Sequence, residues 1–346
     1  MANAKDRLEP PERLVRALAP EGLGAREDEE GGAAALRWLA DLPASAQGYL
    51  ERWELTPDRV QTPGGRTSMV VLVRQSDGTP AALKLGLPDG SIAREHAALT
   101  HWNGRGAVRP LRADPDAGVL LLERLHGDVS LRSLADAKAL LEATATLQRL
   151  WVPPAEGHPF TGVADHTAAL ADVLRERRAE PWAADIRTVL DEALDLREGL
   201  VADAGDPLPS LLHGDYHQGN VLAGDRSPWL AIGPRPLVGE RAYDLAWLVR
   251  DRLDTLLAAP GAPAAARRRV AKLAESLDVD RDRLRGWTIF RAVEAGVREL
   301  STGARPAGEL LLEFSTATAA PPTSTGSATS TRARTPSATR PTRTSP

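Results

Sequence analysis

Two side chains five positions apart, Asp215 and Asn220 in the stretch HGDYHQGNVL, form a pair that could do chemistry. An aspartate can accept a hydroxyl proton and orient a nucleophile, and an asparagine oxygen suits a hard cation such as magnesium. The apolar run WLAI follows and ends at Gly233, and YDLA then introduces a helix carrying Asp244. Loop, strand end and helix in that order are what phosphoryl transfer uses, with a metal-binding carboxylate expected directly after the strand. Gly233 stands at that place, so one metal anchor is missing. HGD alone is equally an ordinary turn with Asp215 as a cap. HGD-x4-N followed by an apolar strand and YDLA is far more specific. Asp244 is expected to hydrogen-bond the loop backbone. His213 and His217 are expected to be packed or hydrogen-bonded, because no third ligand stands at metal-binding spacing.

Phosphoryl transfer also needs a cation on the phosphates and a cover over them. Lys84 lies near the end of the run AALKLG, and Glu95 follows on a predicted helix. Together they could form the ion pair that holds a lysine on the α- and β-phosphates, although any single lysine is more often a solvated surface charge. Gly64 and Gly65 precede Lys84 by two strands and would let backbone amides approach phosphate oxygens. Hairpins use glycine anyway, so that signal is weak by itself.

The elements that position these residues divide into two patterns. Val60 to Leu85 reads as a hairpin-rich sheet, with SMVVLVR alternating and SDGTP a turn signal. Ser91 to Trp102 reads as a helix, and a further strand pair surrounds Asp114 to Gly118. Val119 to Leu122 is a fully apolar strand ending at Glu123. After Gly127 the pattern turns helical, over 131–150, 168–178, 182–201, 242–257, 264–277 and 281–300. Before the sheet, 33–53 has helical spacing and is expected to form two helices broken near Pro43. The fold class is therefore α+β, in two lobes. The expected divisions are an N-terminal extension (1–32), a small lobe with preceding helices (33–125), a helical lobe with the reactive loop (126–314) and a tail (315–346). The tail holds no acidic residue and no large apolar side chain, and it is expected to be disordered.

Composition excludes several classes. The net charge is −4 and the pI about 6.0, which gives no nucleic-acid footprint. Cysteine is absent, so disulfides and thiolate metal sites are excluded. No leader-like or membrane-spanning apolar segment is present, so the cytoplasm is the expected compartment. The expected partner is a small molecule, without nucleic acid or membrane, and the chain is expected to be a monomer or weak dimer.

In HGDYHQGNVL…WLAIGPRPLVGERAYDLA the chain resembles the aminoglycoside/hydroxyurea antibiotic-resistance kinases, the group that includes streptomycin phosphotransferase. The resemblance spans roughly 33–314 and includes GGRTSMVV, TPAALKLG, HWNGRGAVRPL and GVLLLERL. It implies a protein-kinase-like bilobal fold, with ATP and Mg2+ as cofactors. It implies phosphorylation of a hydroxyl on a small antibiotic such as an aminoglycoside. Adenine would sit against the backbone after Leu122, which makes Glu123 and Leu125 cofactor-binding candidates beside Lys84, Glu95, Gly64 and Gly65. Asp215 would be catalytic and Asn220 a metal ligand. The family pattern at the second metal position looks like WLAIDP, where this chain has Gly233; Asp225 and Glu240 are nearby in sequence but not in place. A slow antibiotic kinase and a non-catalytic protein that keeps a nucleotide or antibiotic pocket are therefore both open. A protein kinase is disfavoured, because PLVGERAYD follows Gly233 too soon for an activation segment.

Overall fold

The computed structural model describes residues 8–19, 29–203, 208–258 and 260–319. Two helices lead in, α1 (Glu12–Leu18) and α2 (Glu29–Arg52). The smaller lobe is then built on β1 (Thr56–Val60), β2 (Ser68–Arg74), β3 (Pro80–Gly86), the helix α3 (Ser91–Trp102), β4 (Pro110–Asp114) and β5 (Val119–Glu123). The strands form one sheet in the order β1-β2-β3-β5-β4, antiparallel throughout. Side chains alternate across it, as strand geometry requires. Ala81, Leu83 and Leu85 of β3 join Val119 and Leu121 of β5 in a core with Leu42, Ala46 and Leu50 of α2. Leu120 and Leu122 face the other way, into the core that holds Ala98, Leu99 and Trp102 of α3. Lys84 lies between Leu83 and Leu85 in sequence and so faces the α3 side.

Two sequence expectations fail here. Residues 33–53 are not two helices: α2 runs unbroken with Pro43 inside it. Proline removes one backbone hydrogen bond and costs about 3 kcal/mol in a helix interior. The apolar face on either side of it, Leu42, Ala46 and Leu50, is buried against the sheet, and that burial outweighs the loss. The sequence-based boundary at 33 also falls inside α2. Leu8, Leu14 and Leu18 from the expected extension belong to the same core.

The second lobe is mainly helical. It comprises β6 (His126–Ser130), α4 (Asp136–Leu150), β7 (Thr161–Gly162), α5 (Val163–Arg178), α6 (Arg187–Ala202), β8 (Ser210–Leu212), β9 (Val221–Ala223), β10 (Trp229–Ala231), β11 (Leu237–Gly239), α7 (Arg241–Val249), α8 (Leu253–Ala258), α9 (Ala262–Leu277), α10 (Arg281–Ser301) and α11 (Arg305–Thr318). Its strands pair in two small sheets, β10-β9-β6 and β7-β11-β8, which present the reactive loop. No helix among the described residues is long and apolar enough to cross a membrane.

The expected disordered tail begins too early. α11 continues through Ser315 to Thr318, and Ser315, Ala317 and Thr318 are buried. Arg267 of α9 donates to the Ala317 carbonyl at 3.2 Å. The hydroxyls of Ser315 and Thr318 donate back to Leu312 and Phe314 carbonyls, so burying them leaves no polar group unpaired. Residues 320–346, the rest of that expectation, lie outside the described residues.

The lobes share the core that holds α3 and are joined by the chain itself and by backbone bonds. The covalent link follows β5 at Arg124 and Leu125. The second link is the α3–β4 loop, whose backbone bonds β10: Val108 donates to Ala231 at 2.9 Å and Ala231 donates to Gly106 at 2.8 Å. Arg226 ties both together, donating to the Gly104 and Ala107 carbonyls and to the Glu123 carboxylate.

Candidate active site

β8 delivers the chain into the loop 213–220, and buried polar groups hold that loop from behind. Asp244, in the first turn of α7 and fully buried, accepts the amides of His213 at 2.9 Å and Gly214 at 2.8 Å. It also accepts the Trp151 indole N–H at 3.3 Å. The backbone-bonding role read for Asp244 from the sequence is the one it has. Gly214 sits at φ +76°, and a Cβ there would lie 1.9 Å from the Arg235 carbonyl oxygen, so only glycine fits. Arg291, buried on α10, donates to the carbonyls of Gly214 and Tyr243, each at 3.0 Å. At the far end of the loop, Asp251 accepts the Gln218 amide at 2.5 Å. His217 Nδ1 accepts the Gly219 amide at 3.0 Å. His213 is fully buried, stacks on Trp102 and contacts the Ile232 carbonyl at 3.1 Å through Nε2. Both histidines are packed and hydrogen-bonded, as expected.

This scaffold presents Asp215. The Asn220 side-chain amide donates to the Asp215 carbonyl at 2.9 Å and reaches its carboxylate at 3.5 Å. Arg235 Nε stands 3.8 Å from the same carboxylate oxygen. Burial alone would raise the Asp215 pKa, but the positive field of His217, Arg235, His213 and Arg291 outweighs it. The carboxyl therefore titrates below its ordinary value and is an ionised acceptor at neutral pH. The same burial pushes the imidazoles of His213 and His217 down.

Lys84 and Glu95 meet across β3 and α3, with Nζ 2.5 Å from Oε2 and the carboxylate almost wholly buried. In the strand ladder Lys84 stands opposite Val70, two residues from the start of β2. The loop carrying Gly64 and Gly65 thus projects from the same end of the sheet as the Lys84 ammonium. Gly64 has φ +72°, and a Cβ there would meet Pro11 Cγ at 2.8 Å. Its freedom is used at least in part to seat the N-terminal segment. Glu123 lies at the lobe junction, but its carboxylate is occupied: Arg226 and the Arg109 amide bond it at 2.6 Å and 2.9 Å. Its own amide donates to the Arg109 carbonyl. Leu125 packs partly against the larger core beside Gly224.

Gly233 is beside this loop. Its neighbour Ile232 donates to the Asn220 carbonyl at 2.9 Å, and Arg235 donates to the His213 carbonyl at 2.8 Å. Gly233 has φ +62°, and nothing lies within 4 Å of where its Cβ would stand. The space a carboxylate would occupy is there, and the carboxylate is not. The nearby acids cannot replace it. Asp244 is committed as described. Glu240 is bonded by Arg283 through two nitrogens at 2.6 Å and by the Trp287 indole at 2.5 Å. Asp225 is exposed and paired with His126. No group of three His, Cys, Asp or Glu that could hold a metal occurs among the described residues. Asn220 alone does not make a magnesium clamp, which ordinarily takes one or two carboxylates. The residues present do not fit the metal that the resemblance implied.

Sequence reasoning missed the supports contributed from a distance: Trp151, Arg291, Asp251 and Arg226. Arg235 was within reach of it, two positions after Gly233 in GPRP.

The sequence model of the aminoglycoside/hydroxyurea antibiotic resistance kinases matches residues 52–303. The chain belongs to that family. Within it, a streptomycin 6-kinase of Streptomyces glaucescens is 38% identical over 285 residues, covering 82% of this chain and 91% of the relative. A hydroxyurea phosphotransferase of Kitasatospora aureofaciens is 36% identical over 286 residues, covering 79% and 77%. The aminoglycoside phosphotransferase APH(4)-Ia in complex with ADP and hygromycin B aligns with a TM-score of 0.57 at 14% identity, over 79% of this chain and 96% of that one. A choline kinase of Streptococcus pneumoniae aligns with a TM-score of 0.57 at 12% identity, over 80% and 98%. At those identities the two structures speak to the fold alone, which is the protein-kinase-like bilobal arrangement expected from the sequence. The loop carries Asp215 and Asn220, as read from the sequence, and glycine stands at 233 where an aspartate was expected.

Proposed function

We propose that this chain transfers the terminal phosphoryl group of ATP to a hydroxyl of a small antibiotic, of the streptomycin-like aminoglycoside kind, and thereby confers resistance. The observation that carries the reading is a buried Lys84–Glu95 pair in the same molecule as an ionised Asp215 on a rigidly held loop. Family membership and the named antibiotic kinases among the relatives support it. In this reading Lys84 holds the α- and β-phosphates while Glu95 holds Lys84. Adenine lies against the backbone near Glu123 and Leu125, and the Gly64–Gly65 loop covers the phosphates. Asp215 accepts the acceptor hydroxyl's proton as its oxygen attacks the terminal phosphorus. The bond from phosphorus to the bridging oxygen breaks, and ADP leaves. Asn220 orients Asp215 through both contacts. The reaction draws on cytoplasmic ATP and requires no second copy of the chain.

Gly233 favours a second reading, a protein that binds nucleotide or antibiotic without turnover. One experiment separates the two: incubation with ATP and a panel of streptomycin, hygromycin B and hydroxyurea, with the products read by mass spectrometry. A mass gain of one phosphoryl group on an acceptor, lost in Asp215→Ala, supports the kinase. Binding of ATP with no phosphorylated acceptor, and with no gain in Gly233→Asp, would sink it.

A further inference from the structure

The metal misfit at Gly233 leaves a question of charge: what neutralises the terminal phosphates? Arg235 is the cation the chain holds nearest to Asp215 by an ion pair. Its main chain is fixed on both sides, the amide on the His213 carbonyl and the carbonyl pressed against Gly214. Its side chain is the opposite, 70% exposed, with Asp215 its one ion-pair partner among the described residues. The guanidinium thus stands over Asp215 on a rigid base with its donor fork facing solvent. An acceptor hydroxyl must come within hydrogen-bond reach of Asp215 to lose its proton, and the phosphorus must lie about 3–3.5 Å from that oxygen. A guanidinium Nε 3.8 Å from the same carboxylate therefore reaches the phosphoryl oxygens by a small rotation of an unconstrained side chain. Arginine bonds such oxygens bidentately and stays charged.

We propose that Arg235 is the cation that binds the terminal phosphate in this chain, alongside Lys84 on the α- and β-phosphates, and that ATP affinity consequently depends on Arg235 and little on divalent metal. The proposal rests on the nucleotide reading above. It differs from a metal-held site in a way that binding alone can register. Titration calorimetry of the full chain with ATP and with adenosine, in excess EDTA and in saturating magnesium, tests it without any turnover. ATP affinity of the unaltered chain is expected to agree within about threefold between the two conditions. Arg235→Ala is expected to weaken metal-free ATP binding by about tenfold or more and to leave adenosine unaffected. Arg235→Lys, which keeps the charge but not the fork, is expected to fall between. Gly233→Asp is expected to acquire a magnesium dependence of about tenfold, since φ near +60° is a region aspartate tolerates better than most residues. Magnesium tightening ATP tenfold in the unaltered chain overturns the proposal, and so does Arg235→Ala with ATP affinity unchanged in EDTA. A chain that binds neither ATP nor adenosine overturns the nucleotide reading itself. One that binds both with strong metal dependence overturns only the role given to Arg235.

Discussion

The loop His213 to Asn220 and the segment Ile232 to Arg235 face each other and are built on different plans. In the first, the backbone is held by buried side chains from other elements: Asp244 from α7, Arg291 from α10 and Asp251 after α7. In the second, the backbone bonds among the described residues run to the loop itself: Ile232 to Asn220, Arg235 to His213, and the Ile232 carbonyl to the His213 ring. The loop's order is thus independent of the side chain at 233. A change of side chain at 233 is therefore expected to leave the geometry of Asp215 intact. A carboxylate lost at 244 would remove the geometry.

The sharpest break of this contrast is Asp244→Ala. It strands two buried amides, each costing about 1–3 kcal/mol, so roughly 2–6 kcal/mol of stability should go. Denaturant unfolding measures it, and a loss under 1 kcal/mol would mean that water or another group takes over. Asp215→Ala should do the reverse, preserving the fold while lowering kcat by about two orders of magnitude, the range typical of a positioned base. Steady-state kinetics with an accepted antibiotic measures it, and unchanged turnover would remove Asp215 from the chemistry. Truncation after Phe314 should cost stability that truncation after Ala319 does not, on the order of 1–2 kcal/mol for the buried surface of Ser315, Ala317 and Thr318. Equal melting temperatures for the two truncations would contradict the packing of α11. The smallest effect is graded with pH. Burial pushes His213, His217 and His166 below the ordinary imidazole value. The unfolded chain then binds more protons than the folded one, so stability is fully present above about pH 6.5 and is lost on acidification. Asp215, also depressed, adds to the loss at lower pH. A melting temperature that rises from pH 7 to pH 5 would reverse the assignment.

What could be read from the chain is what sits on local patterns. β2, β3 and α3 follow alternation, the SDGTP turn and a helical period with little competition. Asp215, Asn220 and Asp244 share one stretch of sequence, and the Lys84–Glu95 pair spans only eleven residues. Arg291 reaches the Gly214 carbonyl from 77 residues away, and nothing local to it signals a destination. Pro43 misleads because a breaker is a local cost, while burial of α2 is a tertiary gain. Ser315 to Thr318 mislead because small residues carry no hydrophobic signature, yet a helix can bury them where space is tight.

The seating of α3 has a mechanical consequence. The helix is bonded to the larger lobe by more than its connecting loop: the Trp102 indole donates to the Leu150 carbonyl at 2.8 Å, its ring stacks on His213, and Ala98 and Leu99 share the larger core. The helix that carries Glu95 is therefore seated on the same body as the reactive loop. Through the ion pair Lys84 takes its station from that body too, so the phosphate end and the acceptor end of the site share one frame.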